Sequence, residues 1–168
     1  MIVRKLNVVS LIALVSLAFV LVALFPSRRK EVLRTFDRIE KLAVKDGGET
    51  PVAGALRVKQ LARYLEDDVT VLLPDQEDEQ LVSRKEALAL MLHGWNETSY
   101  LRVRFDSIQI SFPDKETAET SGDITIESGE GRFDRYENVP TFEATLVHDP
   151  DSYKWRFQRI SLQPVIEK

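Results

Sequence analysis

After Asn96 the spacing of apolar residues changes from a helical period of 3.6 to an alternation of 2, and the alternation continues to the end of the chain. Leu101, Val103 and Phe105 alternate with Arg102, Arg104 and Asp106. The phase then slips by one residue, and Ile108, Ile110 and Phe112 carry it on. Side chains of a strand point to opposite faces in turn, so a slip within one strand requires one extra residue, a β-bulge at Asp106-Ser107. Ala118, Thr120, Gly122, Ile124 and Ile126 form the apolar side of a second strand, closed by the turn Ser128-Gly129-Glu130-Gly131. Phe142, Ala144 and Leu146 make a third, and Asp149-Pro150-Asp151-Ser152 turns into the last. There Tyr153, Trp155 and Phe157 slip phase to Ile160 and Leu162. Each bulge bends and twists its strand, so two bulged strands predict a strongly curved antiparallel sheet.

A curved sheet needs something to fill its hollow, and the preceding residues supply helices. Ser27 can cap a helix on which Val32, Leu33, Phe36, Ile39, Leu42 and Ala43 recur at helical spacing, stopped by Gly47-Gly48. Thr50-Pro51 places a cap before a proline at the first helical position. Val52, Ala55, Leu56, Ala62 and Leu65 then predict one buried face, to about Glu66. Val69 to Leu73 is a short β-branched strand closed by Pro74, followed by an acidic loop over 75–80. Ser83-Arg84-Lys85-Glu86 is a capping box, and Leu88, Met91, Leu92 and Trp95 follow on a third helix. The predicted fold is α+β: three N-terminal helices packed in a strongly curved antiparallel β-sheet, a cone.

One further helix is expected in front of it. From Leu6 to Ser27 there is no charged residue, and about 20 apolar residues of helix span the roughly 30 Å of bilayer hydrocarbon. The alternative is a cleaved signal peptide, whose apolar region is shorter, about 7–15 residues, and ends in a small-x-small site. Leu21-Val22-Ala23-Leu24-Phe25-Pro26 offers no convincing site. Residues 1–27 are therefore expected to be a tail and transmembrane anchor running from Leu6 to Phe25, and residues 28–168 the domain. Arg28, Arg29 and Lys30 follow the span, where they can meet anionic lipid head groups. Counting flanking charges favours a cytoplasmic domain, whereas the short basic leader with Arg4 and Lys5 fits a signal anchor. The expectation adopted is a single-pass protein of the inner membrane with its domain exported.

Charge and composition exclude several functions. All five basic residues of 1–30 stand without an acidic one, which leaves 18 basic against 27 acidic residues in the rest. A net charge near -9 argues against nucleic acid as a partner, because neutralising phosphates takes a basic face. No cysteine is present, so disulfides, thiol catalysis and thiolate metal sites are excluded. Two histidines, His93 and His148, leave little for a zinc site, and neither a metal nor a cofactor is expected.

The order helix, helix, short strand, helix and long curved sheet resembles the nuclear transport factor 2-like superfamily, also called cystatin-like, which includes steroid-isomerase and polyketide-cyclase types. The segment Leu61-Ala62-Arg63-Tyr64-Leu65-Glu66-Asp67-Asp68-Val69-Thr70-Val71-Leu72-Leu73-Pro74 is similar to the family's helix end, acidic pair, strand and proline. The resemblance spans about residues 28–164. It implies the cone fold but does not choose between enzymes, ligand binders and assembly domains. Steroid isomerases of this fold carry a general-base aspartate before the proline of the first strand, a tyrosine donor on the first helix and a second acid on a late strand. The aligned positions here are Leu73, Phe36 and Ala144, all apolar, so proton abstraction and oxyanion stabilisation have no supplier.

Strand parity gives an independent test. No Asp, Glu, Lys or Arg falls in phase with the inward residues of the strand over 101–112. Along Phe142, Ala144 and Leu146 the only ionisable residue in phase is His148, at the rim, the one weak catalytic candidate. Acid–base chemistry needs a titratable group in the pocket. The expected hollow is an apolar core or an apolar ligand site, lined by Phe36, Tyr64, Leu73, Trp95, Phe105, Ile124, Phe142, Leu146, Trp155 and Phe157. His93, the Asp67-Asp68 pair, the acidic loop and the Asn96-Glu97-Thr98 glycosylation triplet each have a simpler reading as solvated surface. The expected function is a membrane-anchored interaction module, non-enzymatic, that forms a homodimer or an envelope complex through the polar outer sheet face. In layout it resembles inner-membrane components of type IV secretion systems. The alternative is an apolar small-ligand binder, or an isomerase- or cyclase-like enzyme held at the membrane.

Overall fold

The computed structural model of the protein describes residues 27–73, 78–129, 135–152 and 154–163. The predicted span over Leu6–Phe25 lies outside them. Among the described residues no helix is long and apolar enough to cross a membrane. Residues Val32–Lys168 form one compact unit, distinct from Met1–Glu31.

Among the described residues three helices are present, α1 (Arg28–Leu42), α2 (Pro51–Leu61, extended by a 3-10 turn over Ala62–Tyr64) and α3 (Arg84–Glu97). Eight strands form one sheet: β1 (Val44–Lys45), β2 (Leu65–Leu72), β3 (Gln80–Ser83), β4 (Tyr100–Ser111), β5 (Thr117–Gly129), β6 (Arg135–Asn138), β7 (Thr141–Asp149) and β8 (Lys154–Gln163). The sheet order is β1-β4-β5-β7-β8-β2-β3, with β6 paired to β5 off this path. All pairings are antiparallel except β2 with β8.

Both predicted phase slips are bulges. Between the pairs Asp106↔Asp123 and Gln109↔Ser121, β4 advances three residues while β5 advances two. Ser107 takes up the extra length with φ 57°, in the left-handed region. On β8, Gln158 is the extra residue between Phe157, opposite Leu146, and Arg159, opposite Thr145.

The short strands were not expected. The first helix stops at Leu42 instead of running on toward Gly47-Gly48, because Val44 and Lys45 pair with Arg102 and Leu101. Gln80–Ser83, assigned partly to the acidic loop, pairs with Val71–Asp68. Strand β5 is long enough to hold two partners end to end: Thr117–Asp123 pair with β7 and Ile126–Gly129 with β6.

The second helix corrects the sequence reading more fundamentally. Val52 and Leu56, expected on its buried face, are 72% and 57% exposed. Its inward face is Gly54, Val58 and Ala62. The reason lies on α3, whose Trp95 indole rests so close to Gly54 that a Cβ there would stand 2.6 Å from Nε1. The face that docks is the one with room for Trp95, not the one richest in methyl groups. Leu65, expected on the same helix, already pairs with Phe157 in the sheet.

The caps are as the sequence predicts. Thr50 Oγ1 accepts from the Ala53 N–H at 3.3 Å. Ser83 Oγ accepts from the Glu86 N–H at 3.3 Å, and Glu86 Oε2 accepts from the Ser83 N–H at 2.9 Å, closing the capping box. Replacing Ser83 with alanine removes one of these partners and is expected to cost about 1 kcal/mol of stability, measured by urea denaturation. At the other end of α3, Lys45 Nζ donates to the Trp95 and Thr98 carbonyls, which the helix leaves without an amide partner.

Candidate functional site

The hollow of the sheet is occupied by the protein's own rings. Phe36 of α1 stands at centroid distances of 4.9 Å from Phe105, 5.6 Å from Phe142 and 5.5 Å from Phe157. Phe105 and Phe142 meet at 5.3 Å. Such edge and tilted contacts are ring packing at van der Waals range. Among the described residues, Val32, Ala118, Ile124, Ala144, Leu146 and Trp155 complete the buried cluster. Six of the ten expected lining residues thus meet in one buried core, Phe36, Ile124, Phe142, Leu146, Trp155 and Phe157, and the half-buried Phe105 packs against it. Tyr64 packs at its edge. Trp95 is buried elsewhere, against Gly54, with the Lys45 ammonium 5.8 Å from its ring centroid. Leu73 lies just past β2 and is 41% exposed.

Among the described residues, Thr120 and Glu40 bring polar groups to this region that serve the backbone. The buried Thr120 hydroxyl donates to the Ala144 carbonyl at 3.1 Å. Glu40, a half-buried carboxylate that strand parity does not reveal, accepts from the Phe105 N–H at 2.6 Å. It continues the edge pairing of β4 where the two-residue β1 runs out.

At one rim, the buried Trp155 meets His148 at 5.2 Å and Phe112 at 5.9 Å between centroids. His148 is half-buried, and its backbone N–H donates to the Glu116 carbonyl at 2.7 Å. Trp155 Nε1 is buried without a hydrogen-bond partner. Next to them the turn after β7 is held by Asp149, which accepts from the Ser152 hydroxyl at 2.7 Å and the Asp151 N–H at 2.9 Å, and pairs with Arg156. The Ser152 hydroxyl and these amides hold the Asp149 carboxyl below its ordinary range, as the Ser83 hydroxyl and N–H do for Glu86. A depressed folded-state pKa stabilises the fold above the unfolded value, and that contribution is lost as pH falls through the folded one. Thermal melts are therefore expected to weaken below about pH 4. The acid-induced decline should be shallower in a Glu86→Gln, Asp149→Asn double variant.

Two concavities of ligand size lie outside the core. The first, of 480 Å³, runs across the outer face of the sheet over β4, β5, β7 and β8. It is polar along its length, with Ser111, Glu119, Ser121, Glu143 and Thr145, and Arg159 at its end held by Glu79. The second, of 470 Å³, lies where the end of α2, the start of β2 and the first turn of α3 meet. Lys59, Arg63, Arg84 and Lys85 line it, opposed by Asp67 alone, with Ala62 and Leu88 among its apolar walls. Arg84 is pinned there, Nε donating to the Leu65 carbonyl and Nη1 to Asp67, each at 2.9 Å. No sequence motif grouped these residues as one site, because they come from three elements that only folding brings together.

The other sequence candidates sit on the surface. His93 pairs with Glu97 at 3.2 Å, both well exposed. Asp67 and Asp68 lie on β2 instead of following a helix. Residues 75–77 of the acidic loop lie outside the described residues, and Glu79 meets Arg159. Among the described residues no group of three or more potential metal ligands gathers.

No family model matches the sequence, and no curated protein does. Solved structures do match in shape. The Kfla4162 protein of Kribbella flavida superposes with a TM-score of 0.66 at 17% identity, covering 83% of this chain and 92% of that one. A Xanthomonas campestris protein, provisionally named a calcium/calmodulin-dependent protein kinase II association domain, gives 0.65 at 13%, covering 85% and 91%. A nuclear transport factor 2-like protein with a cystatin-like fold from Novosphingobium aromaticivorans gives 0.62 at 15%, covering 92% of each. The helices and curved sheet of this chain are the cystatin-like, nuclear transport factor 2-like fold.

Proposed function

We propose that this protein is a non-enzymatic assembly module, tethered to the inner membrane by its N-terminal apolar segment and exposing its domain on the exported side. The observation that carries the reading is the division of the sheet into two faces. Among the described residues the inner face is filled by packed phenylalanine rings and other apolar side chains, with Tyr64 and His148 at its edges. The outer face of the same strands carries an open polar trough with Glu119 and Glu143 near Arg159. Carboxylates and a guanidinium on one self-facing surface suit a two-fold pairing of like chains, in which each face supplies both signs. The provisional name of the Xanthomonas protein, an association domain, is compatible with this reading. The full chain in neutral detergent is expected to sediment as a dimer, and Ser121→Arg, placed in the middle of the trough, to sediment as a monomer. A wild-type chain that stays monomeric at all concentrations and co-purifies with no membrane protein would overturn the reading.

A second reading, binding of an apolar small molecule, is favoured by Trp155, whose buried indole N–H has no hydrogen-bond partner at the rim of the apolar core. A ligand with one acceptor oxygen would satisfy it. Two structural neighbours are provisionally named dehydratases, which is compatible with a small-molecule ligand. Mass spectrometry of an organic extract of the purified protein tests it, and His148→Ala should leave any ligand content unchanged.

A further inference from the structure

We infer that the pocket between α2 and α3 is a binding site for an amphiphilic phosphate, an anionic phosphoryl head carried on an apolar body. The domain around it is acidic, with 27 carboxylates against 18 basic residues after residue 30, yet four cations converge on this one concavity against one carboxylate. Two carboxylates stand near them, Asp67 and the capping Glu86, and Glu86 is taken up by the Ser83 hydroxyl and N–H. Arg84 and Lys85 open helix α3 at its positive end, where cations are disfavoured and anions favoured. Asp67 answers only Arg84, through Nη1, and Arg84 Nη2 is buried with no hydrogen-bond partner. A doubly charged phosphoryl group suits such a concentration of positive charge better than a single carboxylate does, and guanidinium forks match its oxygens.

The walls specify the rest of the ligand. Ala62 and Leu88, with the aliphatic stems of Lys59, Arg63 and Lys85, make a volume of 470 Å³ far larger than a phosphate ion needs. Leu56 and Val52 continue from Lys59 along the exposed face of α2, so an apolar tail leaving the pocket meets hydrocarbon and not charge. The site is separate from the outer trough and from the aromatic core, and it does not depend on the assembly reading.

The test is calorimetric titration of the full chain, held in a neutral sugar-headed detergent, with dihexanoyl phosphatidate, dihexanoyl phosphatidylcholine and inorganic phosphate. Phosphatidate is expected to bind, phosphatidylcholine to bind at least tenfold more weakly, and inorganic phosphate also more weakly because it forgoes the apolar walls. An Arg63→Glu, Lys85→Glu double variant reverses two exposed charges that hold no structural contact described above, and it should weaken phosphatidate binding about tenfold or more. Arg84→Lys keeps the charge and loses the fork, and should weaken it less than the double reversal. Equal binding of phosphatidylcholine, or an unchanged titration in the double variant with the fold intact by circular dichroism, would overturn the inference. Inorganic phosphate binding as tightly as phosphatidate would overturn the amphiphile and leave a simple phosphate site.

Discussion

Phe36→Ala is expected to destabilise the domain by about 3–5 kcal/mol, the range for removing a buried phenylalanine ring. That is a large share of the roughly 5–15 kcal/mol that holds a domain of this size together. Phe36 is 1% exposed and is the ring that Phe105, Phe142 and Phe157 share. Its loss opens a cavity where α1 meets three strands, and the stiff, curved sheet can collapse into it only in part. Urea denaturation of the full chain should show a lower midpoint, and a variant within 1 kcal/mol of the wild type would mean that the hollow is not packed as described. The same variant bears on function: if an apolar ligand normally shares that hollow, the enlarged cavity should take up more of it, not less.

Gly122→Ala should cost about 1–3 kcal/mol although it adds a single methyl, because overpacking against atoms that cannot retreat forces the backbone to move. A Cβ at residue 122 would stand 2.8 Å from the Asp106 carbonyl oxygen, 3.0 Å from Phe142 Cε1 and 3.3 Å from Ile108 Cα. Two of these three atoms are backbone of the β4 bulge, whose shape depends on Ser107 in the left-handed region. The glycine is needed there for close approach and not for an unusual φ. Amide exchange in β4 on both sides of the bulge should quicken with the substitution. Protection unchanged from the wild type would show that the bulge tolerates the methyl and that the strand can shift as a whole.

Most of what positions the core was legible in the residues. The alternation along 101–112 and its slip at Asp106-Ser107 correspond to β4 and its bulge. The slip after Phe157 corresponds to the extra residue in β8, and Ser83-Glu86 to the capping box of α3. The likeness to the nuclear transport factor 2-like fold rested on that order of elements, and solved structures superpose on it. The inward placing of Ile108, Ile110, Phe142 and Leu146 could be read in advance as well, since period 2 sorts every residue of a strand to one side or the other.

What escaped has a common cause. Val52 and Leu56 looked buried because they are apolar, but Gly54 faces inward because Trp95, 41 positions along the chain, needs the space. Strands β1, β3 and β6 are two to four residues long and carry too little pattern to announce themselves; each exists because a longer strand offered it an edge. Leu73 seemed a wall of the hollow from its place beside a proline, and it is outside because β2 ends one residue earlier.

Local spacing alone therefore determined the helices and their caps, the two bent strands and the greasy inner face, since those depend on which side of its own element each residue occupies. Folding alone decided which helix face docks, which short segments become strands, and that Lys59, Arg63, Arg84 and Lys85 surround one concavity. Those outcomes depend on distances between residues far apart in the chain, and periodicity within an element carries no information about them.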